Sequence, residues 1–282
     1  MSLCYLDGAF LPRDEARISP LDRGFLFGDG AYEVIPVYDR TPFRLDHHLD
    51  RLDRTLGALG ITPPRTREEW RALVEELVAR NDGADQAIYV QVTRGADTVR
   101  NHAFPAHVEP TVFMMSDPLV KPDEALFEEG VAAVTAQDNR WLRCDLKTTA
   151  LLANCLLRQY AVERGCAEAV LLRDGVLTEG SASNIFVVLN GVLLAPPKSP
   201  LLLPGITYDV VLELAAAHGM PCEVREISEA ELRRAEELWM TSSTKEVLPI
   251  TRLDGAPVGD GRAGPLARRM RGWYREALRG RV

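Results

Sequence analysis

The sequence predicts an α+β protein of two domains, a small N-terminal α+β domain and a larger C-terminal mixed α/β domain. Three observations point there. Short runs of alternating apolar residues close on Asp-Gly, Asp-Arg or Asn-Gly pairs, the pattern of antiparallel hairpins. Between these runs lie stretches with apolar residues at helical spacing. A Pro- and acid-rich stretch near the middle, "PLVKPDEALFEEG", fits neither pattern and reads as a linker over 119–131. The expected domains are then 1–118 and 132–282.

Taken in order, "LCYLDGAFLP" predicts a hairpin that turns at Asp7-Gly8 and ends at Pro12. "AYEVIPVYDRTPFRL" repeats the design with Asp39-Arg40 at the turn. In "RLDHHLDRLDRTLGALGI", Leu45, Leu49, Leu52, Leu56 and Leu59 share a helical face that Gly60 ends. "TREEWRALVEELVARN" predicts a second helix, with Thr66 and Glu69 placed as a capping box. "AIYVQVTRG" and "PTVFMMSD" alternate as strands on either side of the loop "ADTVRNHAFPAHVE". Past the linker, "VAAVTAQD" is a strand, followed by a long helix from about residue 148 to 164 whose apolar start at 150–153 predicts burial. "EAVLLRDGVLTEG" and "NIFVVLNGVLLAP" are hairpins turning at Asp174-Gly175 and Asn190-Gly191. A helix opens after "PGIT", then come a short strand, the helix "SEAELRRA" and the strand "ELWMTSS". "ARRMRGWYREALRGRV" closes the chain as an amphipathic helix, with Met270, Trp273, Tyr274 and Leu278 on its apolar side. Two domains imply a cleft between them, the usual place for a ligand.

Composition narrows the function. The 282 residues are 46% hydrophobic and 26% charged, as in an ordinary soluble protein. A net charge of -8 offers no basic stripe for nucleic acid or an anionic membrane. There is no apolar run of the ~20 residues that a span requires and no signal pattern, so a cytoplasmic protein is expected. Cys4, Cys144, Cys155, Cys166 and Cys222 form no C-x-x-C pair and read as free thiols. His47 and His48 are adjacent, and His102 and His107 lack zinc spacing, so no metal site is expected. "GFLFGDG" lacks the glycine spacing of a dinucleotide fold.

The chemistry gathers around lysine. The chain's lysines are Lys121, Lys147, Lys198 and Lys245. Lys147, in "RWLRCDLKTTALLAN", stands before an apolar run where an amine is desolvated; as a segment it fits either a helix-entry lysine or a nucleophile. Glu179 in "LTEGSASNIFVV" has small residues after it that leave room for a flat ligand, and can hold a proton on a heteroaromatic nitrogen or cap a turn. "LPGIT" opens a helix with Gly205 and Thr207, which suits a phosphate or a plain N-cap. "TSSTKE" adds Ser242, Ser243 and Thr244. Lysine, acid and two phosphate-type loops together suit pyridoxal 5′-phosphate.

Nearly end to end, from "YLDGAF" through "RGFLFGDGAYEV", "RLDHHLDRL", "DLK" and "EAVLLRDGVLTEGSASNIF" to "LPGIT" and "TSSTKEV", the sequence resembles the fold-type IV pyridoxal-phosphate aminotransferases, and most closely their D-amino-acid transaminase branch. The resemblance implies that Lys147 is the catalytic lysine joined to the cofactor and that Glu179 partners its ring nitrogen. Arg51, Ile206, Thr207 and Ser243 would hold the phosphate, and Ser181, Ala182, Ser183 and Asn184 would line the cofactor. Tyr32 in "GDGAYEV", with Arg100 and His102 in "TRGADTVRNHAFP", would form the trap for a substrate carboxylate. It also implies amino acids and 2-oxo acids as substrates, and a homodimer. Tyr208 after "GIT" and Thr148-Thr149 after the lysine depart from the branch's usual residues, which leaves side-chain preference open. Other readings of the same fold are a branched-chain L-aminotransferase, an (R)-amine transaminase and 4-amino-4-deoxychorismate lyase. A protein that binds the cofactor without turnover is the alternative outside that group.

Overall fold

The computed structural model describes residues 2–280, which form two compact units. The first is the chain up to Leu119 together with Leu146–Leu151. It contains β1 (Leu3–Leu6), β2 (Ala9–Pro12), α1 (Arg23–Phe27), β3 (Gly30–Tyr38), β4 (Thr41–Pro42), α2 (Leu45–Leu59), α3 (Arg67–Arg80), β5 (Gln86–Thr93) and β6 (Val112–Pro118). Asp7 and Gly8 both have positive φ, as do Asp39 and Arg40; this matches the strand twist across a two-residue turn. The strands form one antiparallel sheet in the order β2-β1-β6-β5-β3-β4.

Helical and strand periodicities meet in this unit's core. Leu49, Leu52 and Leu56 of α2, with Trp70, Val74 and Leu77 of α3, pack on Ile35, Ile88, Val90, Val92 and Met114 of the sheet. Gly60 ends α2 in the left-handed conformation, and Thr66 and Glu69 close the expected capping box on α3.

The second unit comprises Val120–Asp145 and Leu152–Val282. Its elements are α4 (Glu124–Glu129), β7 (Val131–Gln137), α5 (Leu152–Val162), β8 (Glu168–Arg173), β9 (Val176–Gly180), β10 (Asn184–Leu189), β11 (Val192–Ala195), α6 (Ile206–Ala217), β12 (Cys222–Val224), α7 (Glu229–Leu232), β13 (Glu237–Ser242), β14 (Glu246–Leu253), β15 (Ala256–Pro257) and α8 (Pro265–Gly280). They build a nine-stranded mixed sheet, β12-β11-β10-β13-β14-β7-β8-β9, with β15 on β14. The β14, β7 and β8 neighbours are parallel, and α5 makes the β7-to-β8 crossover that parallel pairing demands. β8 and β10 are buried along nearly their whole length, which is why they read as continuous apolar runs. α8 buries Met270 and Tyr274 as expected; residues 281 and 282 of that expectation lie outside the described residues.

Two segments differ from the sequence reading. The stretch 119–131 carries the helix α4, capped by Asp123 on the Leu126 N–H. The helix expected from about residue 148 begins instead at Leu152, and its start is not buried: Leu152 is 73% exposed and Leu156 62%. The reason lies in β3. β4 is so short that it pairs only with Val37 and Tyr38, leaving the Gly30-to-Tyr32 edge of β3 without a strand. Leu146–Leu151 takes that edge, with Thr148 bridged to Ala31, Thr149 N donating to Gly30 O at 2.9 Å and Tyr32 N to Lys147 O at 3.0 Å. Backbone used in a ladder cannot also wind into helix.

Candidate active site

The first unit places Lys147 on that sheet edge, half-buried. Its Nζ lies 4.1 Å from the centroid of the Tyr32 ring, and its N–H points at Thr55 Oγ1, 3.4 Å away. Among the described residues Lys147 joins no salt bridge, whereas Lys198 is paired with Asp209 at 2.6 Å. Tyr32 stacks further on Tyr89, with ring centroids 5.6 Å apart.

Behind Tyr32, β3 turns Glu33 inward to full burial. Arg51 from α2 donates to it through Nε at 2.7 Å and through Nη2 at 2.8 Å, and His48 Nδ1 lies 2.8 Å away. Burial alone would raise the Glu33 carboxyl, but Arg51 and His48 together hold it well below the ordinary range. Burial also keeps His48 below its usual value despite Glu33, with the charges of Arg51 and Lys147 adding to the effect. Arg51, expected at the phosphate, thus has two of its donor positions committed to Glu33.

Arg100 and His102 sit in the exposed loop between β5 and β6. The Arg100 guanidinium lies 5.0 Å from the Phe27 ring, and the His102 ring 5.3 Å from the same ring. No hydrogen bond or ring contact joins Tyr32 to either among the described residues. The expected trio is therefore two groupings in this chain, Tyr32 with Lys147 and Arg100 with His102.

In the second unit, Glu179 is the next-to-last residue of β9, with 4% exposure. Arg140 Nη1 donates to its Oε1 at 2.5 Å; the Leu203 N–H, at 3.1 Å, and Asn184 Nδ2, at 3.4 Å, reach Oε2. Arg140 is also held by Asp138, through Nε and Nη2 at 2.9 Å each. Thr178 and Arg173 fix the far side of Asp138. Burial pushes the Glu179 carboxyl up to about 7 against the pull of Arg140. Asp138 goes the other way, to about 2, because Arg140 and Arg173 overcome its burial.

Ser181 and Ser183 follow, and their hydroxyls are committed to a residue the sequence reading passed over. Glu168, at the start of β8, accepts from both, and from the Ser181 N–H at 2.9 Å. What 181–184 offers a ligand is an ordered turn of small residues. Asn184 reaches across to Leu203 O at 2.9 Å, in the segment that leads into α6. α6 itself opens at Gly205 with no side-chain cap, and Ile206 and Thr207 behind it are 8% and 4% exposed. Ser243, half-buried, stands in the β13–β14 turn. Tyr208 points the other way: it stacks on Phe186, with centroids 5.1 Å apart, and donates to Pro196 O at 2.8 Å. That departure is a core residue.

Arg140, Asp138 and Glu168 were not singled out from the sequence. The two acids look like strand-end residues there, and Arg140 is one of many arginines; only the fold brings them to Glu179, Ser181 and Ser183.

This donor set suits pyridoxal 5′-phosphate. A helix N-terminus that is buried and lacks a side-chain cap leaves first-turn N–H groups for an anion. Thr241, paired with Asn184 across β10 and β13, keeps a buried hydroxyl with no hydrogen-bond partner among the described residues. Glu179 is a buried acid able to meet a ring nitrogen, and Lys147 is an amine that joins no salt bridge among the described residues. Each of these groups has chemistry that a pyridoxal-phosphate enzyme requires.

The comparisons are specific. The Amino-transferase class IV family model matches residues 30–253, and the chain belongs to that family. The D-alanine aminotransferase of Bacillus licheniformis is 39% identical over 264 residues, covering 94% of this chain and 93% of that protein. That of Staphylococcus aureus (strain MW2) is 38% identical over 271 residues, covering 96% and 95%. Among solved structures, the T.th. branched-chain amino acid aminotransferase with pyridoxamine 5′-phosphate aligns with a TM-score of 0.91 at 30% identity, covering 99% of this chain and 95% of that one. The branched-chain aminotransferase of Thermoproteus uzoniensis with norvaline gives 0.88 at 28%, covering 100% and 96%. This chain is an aminotransferase of fold type IV, with pyridoxal 5′-phosphate as its cofactor.

Proposed function

We infer that the enzyme moves an amino group between a D-amino acid and a 2-oxo acid, of the D-alanine/2-oxoglutarate type. The observation that carries this reading is the shared seat of Arg100 and His102 on Phe27: two donors, held together and engaged by no carboxylate among the described residues. The identity of 38% or 39% to D-alanine aminotransferases, against 30% to the branched-chain enzyme, supports it.

When bound, the cofactor supplies an electron sink for the carbanion at the substrate's Cα. Lys147 would hold it covalently, and its amine, when free, would carry the proton at the substrate's Cα. The Tyr32 ring beside Nζ helps to orient that amine. Glu179 would keep a proton on the ring nitrogen. Ile206 and Thr207 would bind the phosphate through the N–H groups at the start of α6, with Ser243 and Arg51 adding donors. A carboxylate held by Arg100, His102 and Tyr32 turns the Cα–H of a D-amino acid toward Lys147, and that of an L-amino acid away.

The enzyme works as a cytoplasmic homodimer on this reading. Leu152, Leu156 and Tyr160, exposed at successive turns of α5, supply an apolar stripe suited to a second copy, and scattering-coupled gel filtration reads the mass. No helix among the described residues is long and apolar enough to cross a membrane.

The deciding experiment is a half-reaction panel of D- and L-amino acids, read by loss of the cofactor's absorbance band, with borohydride reduction and peptide mapping alongside. D-Alanine should react faster than L-leucine, and the adduct should map to Lys147. Faster reaction with L-leucine would defeat the D-assignment and favour the branched-chain reading, which the solved structures keep in view. An adduct at Lys198 or Lys245 would sink the role of Lys147.

A further inference from the structure

The loop that carries Arg100 and His102 runs from the end of β5 to the start of β6 with no regular structure of its own, so something must fix its tip. The contacts point to α1, a helix of only five residues. Asp22, its N-cap, clamps both feet of the loop: Thr93 and Thr111 donate their hydroxyls to Asp22 Oδ2 at 2.9 and 2.7 Å, while Oδ1 accepts the Gly24 N–H at 2.8 Å. Arg23, 3% exposed, grips the middle. It donates to the carbonyls of Asn101, His102 and Ala103 at 2.6, 3.1 and 3.3 Å and is itself held by Asp29 at 2.7 Å. Phe27, in the last turn, takes the Arg100 guanidinium and the His102 ring.

The same helix end touches the lysine strand. Gly28, which caps α1 in the left-handed conformation at φ 66°, lies where an added Cβ would come 3.0 Å from Ala150 Cα, three residues after Lys147. One short helix therefore meets both the segment that carries the lysine and the loop that carries Arg100 and His102.

We propose that Phe27 is the positioning residue of the carboxylate trap: its ring sets Arg100 and His102 in register as a pair, and so fixes substrate affinity without touching the reacting atoms. This rests on the reading of Arg100 and His102 as carboxylate donors. Arg23 also lies against the Phe27 ring, 4.9 Å from its centroid, but its clips to the loop run to backbone carbonyls and are anchored by Asp29, so removing the ring loosens the two donors while those clips remain.

The test uses the holoenzyme and two readouts: KM and kcat for D-alanine, and the calorimetric affinity for D-lactate, a non-reacting carboxylate of the same size. Phe27→Leu should raise KM and weaken D-lactate together by roughly three- to ten-fold, with kcat little changed, and Phe27→Tyr should restore both. Should Phe27→Leu not fold, Phe27→Met carries the same comparison, since it fills the volume without a ring. Unchanged D-lactate affinity in the variant would overturn the proposal, as would a fall in kcat with KM constant. Arg100→Leu separates the two levels. If it weakens D-lactate and Phe27→Leu does not, the trap stands and the role of Phe27 falls. If Arg100→Leu leaves D-lactate untouched, the carboxylate reading fails and takes the proposal with it.

Discussion

Asp138 and Glu179 share the guanidinium of Arg140 unequally, because Asp138 takes two of its nitrogens and gains Arg173 as well, while Glu179 receives one. Environments that drive two acids apart are how a site keeps one ionised and leaves the other able to hold a proton. The consequence for stability has a definite sign. Glu179 titrates near 4.5 in the unfolded chain and about 7 when folded. Between those pH values the folded form keeps a proton that the unfolded chain has released, so stability falls as pH rises through the window, by on the order of 3 kcal/mol. Denaturant melts of cofactor-free wild type and Glu179→Gln should diverge across pH 4.5 to 7, with the wild type losing stability relative to the variant as pH rises. In the holoenzyme, Glu179→Gln should lower the half-reaction rate more than cofactor affinity; unchanged rates would return Glu179 to a structural role. Arg100 gives the other test at this scale. Charged hydrogen bonds are worth about 1.5–3 kcal/mol, so Arg100→Leu should cut kcat/KM for D-alanine by roughly ten- to several-hundred-fold. An (R)-amine without a carboxylate should lose far less, and equal losses would make Arg100 structural.

Among elements, α6 shows how a site depends on a missing atom. A Cβ on Gly205 would fall 2.1 Å from Asn184 Oδ1, and Asn184 is not free to move aside, since its amide is held by Leu203 O and Glu179. Gly205→Ala should displace that amide at a cost of about 1–3 kcal/mol and shift the first turn of α6. Cofactor titration should then show affinity falling by about ten-fold or more while the fold persists, and unaltered affinity would show that the turn does not hold phosphate. The hairpins, α2, α3 and α8 were legible in the sequence because each is written locally, in a turn pair, a cap or a spacing. The start of α5 was not. Residues 150–153 are apolar enough for a helix, and nothing nearby says that β3 has an edge to fill more than a hundred residues earlier in the chain. Glu168 escaped for the same reason: its five-donor environment is assembled from residues 169 and 181–183, across a hairpin.

At the scale of the molecule, a linker reading at 119–131 separates two runs of sequence, but Leu146–Leu151 belongs with the first unit and is flanked on both sides by the second. A fragment ending at Leu119 would carry the six-stranded sheet with the Gly30-to-Tyr32 edge of β3 bare, and bare edges promote self-association. Adding residues 146–151 after Leu119 through a Gly/Ser linker should raise the fragment's melting temperature and keep it monomeric; no change would mean that the strand contributes little to that unit.

The short visit of Leu146–Leu151 to the first unit also bears on inheritance. Neither unit corresponds to an unbroken run of codons, so recombination that lifts out either one as a block separates Lys147 from Tyr32 or strands it among residues it does not pair with. The gene can be shuffled as a whole or diversified in its loops. It cannot be traded in halves without parting Lys147 from the strand edge it pairs with.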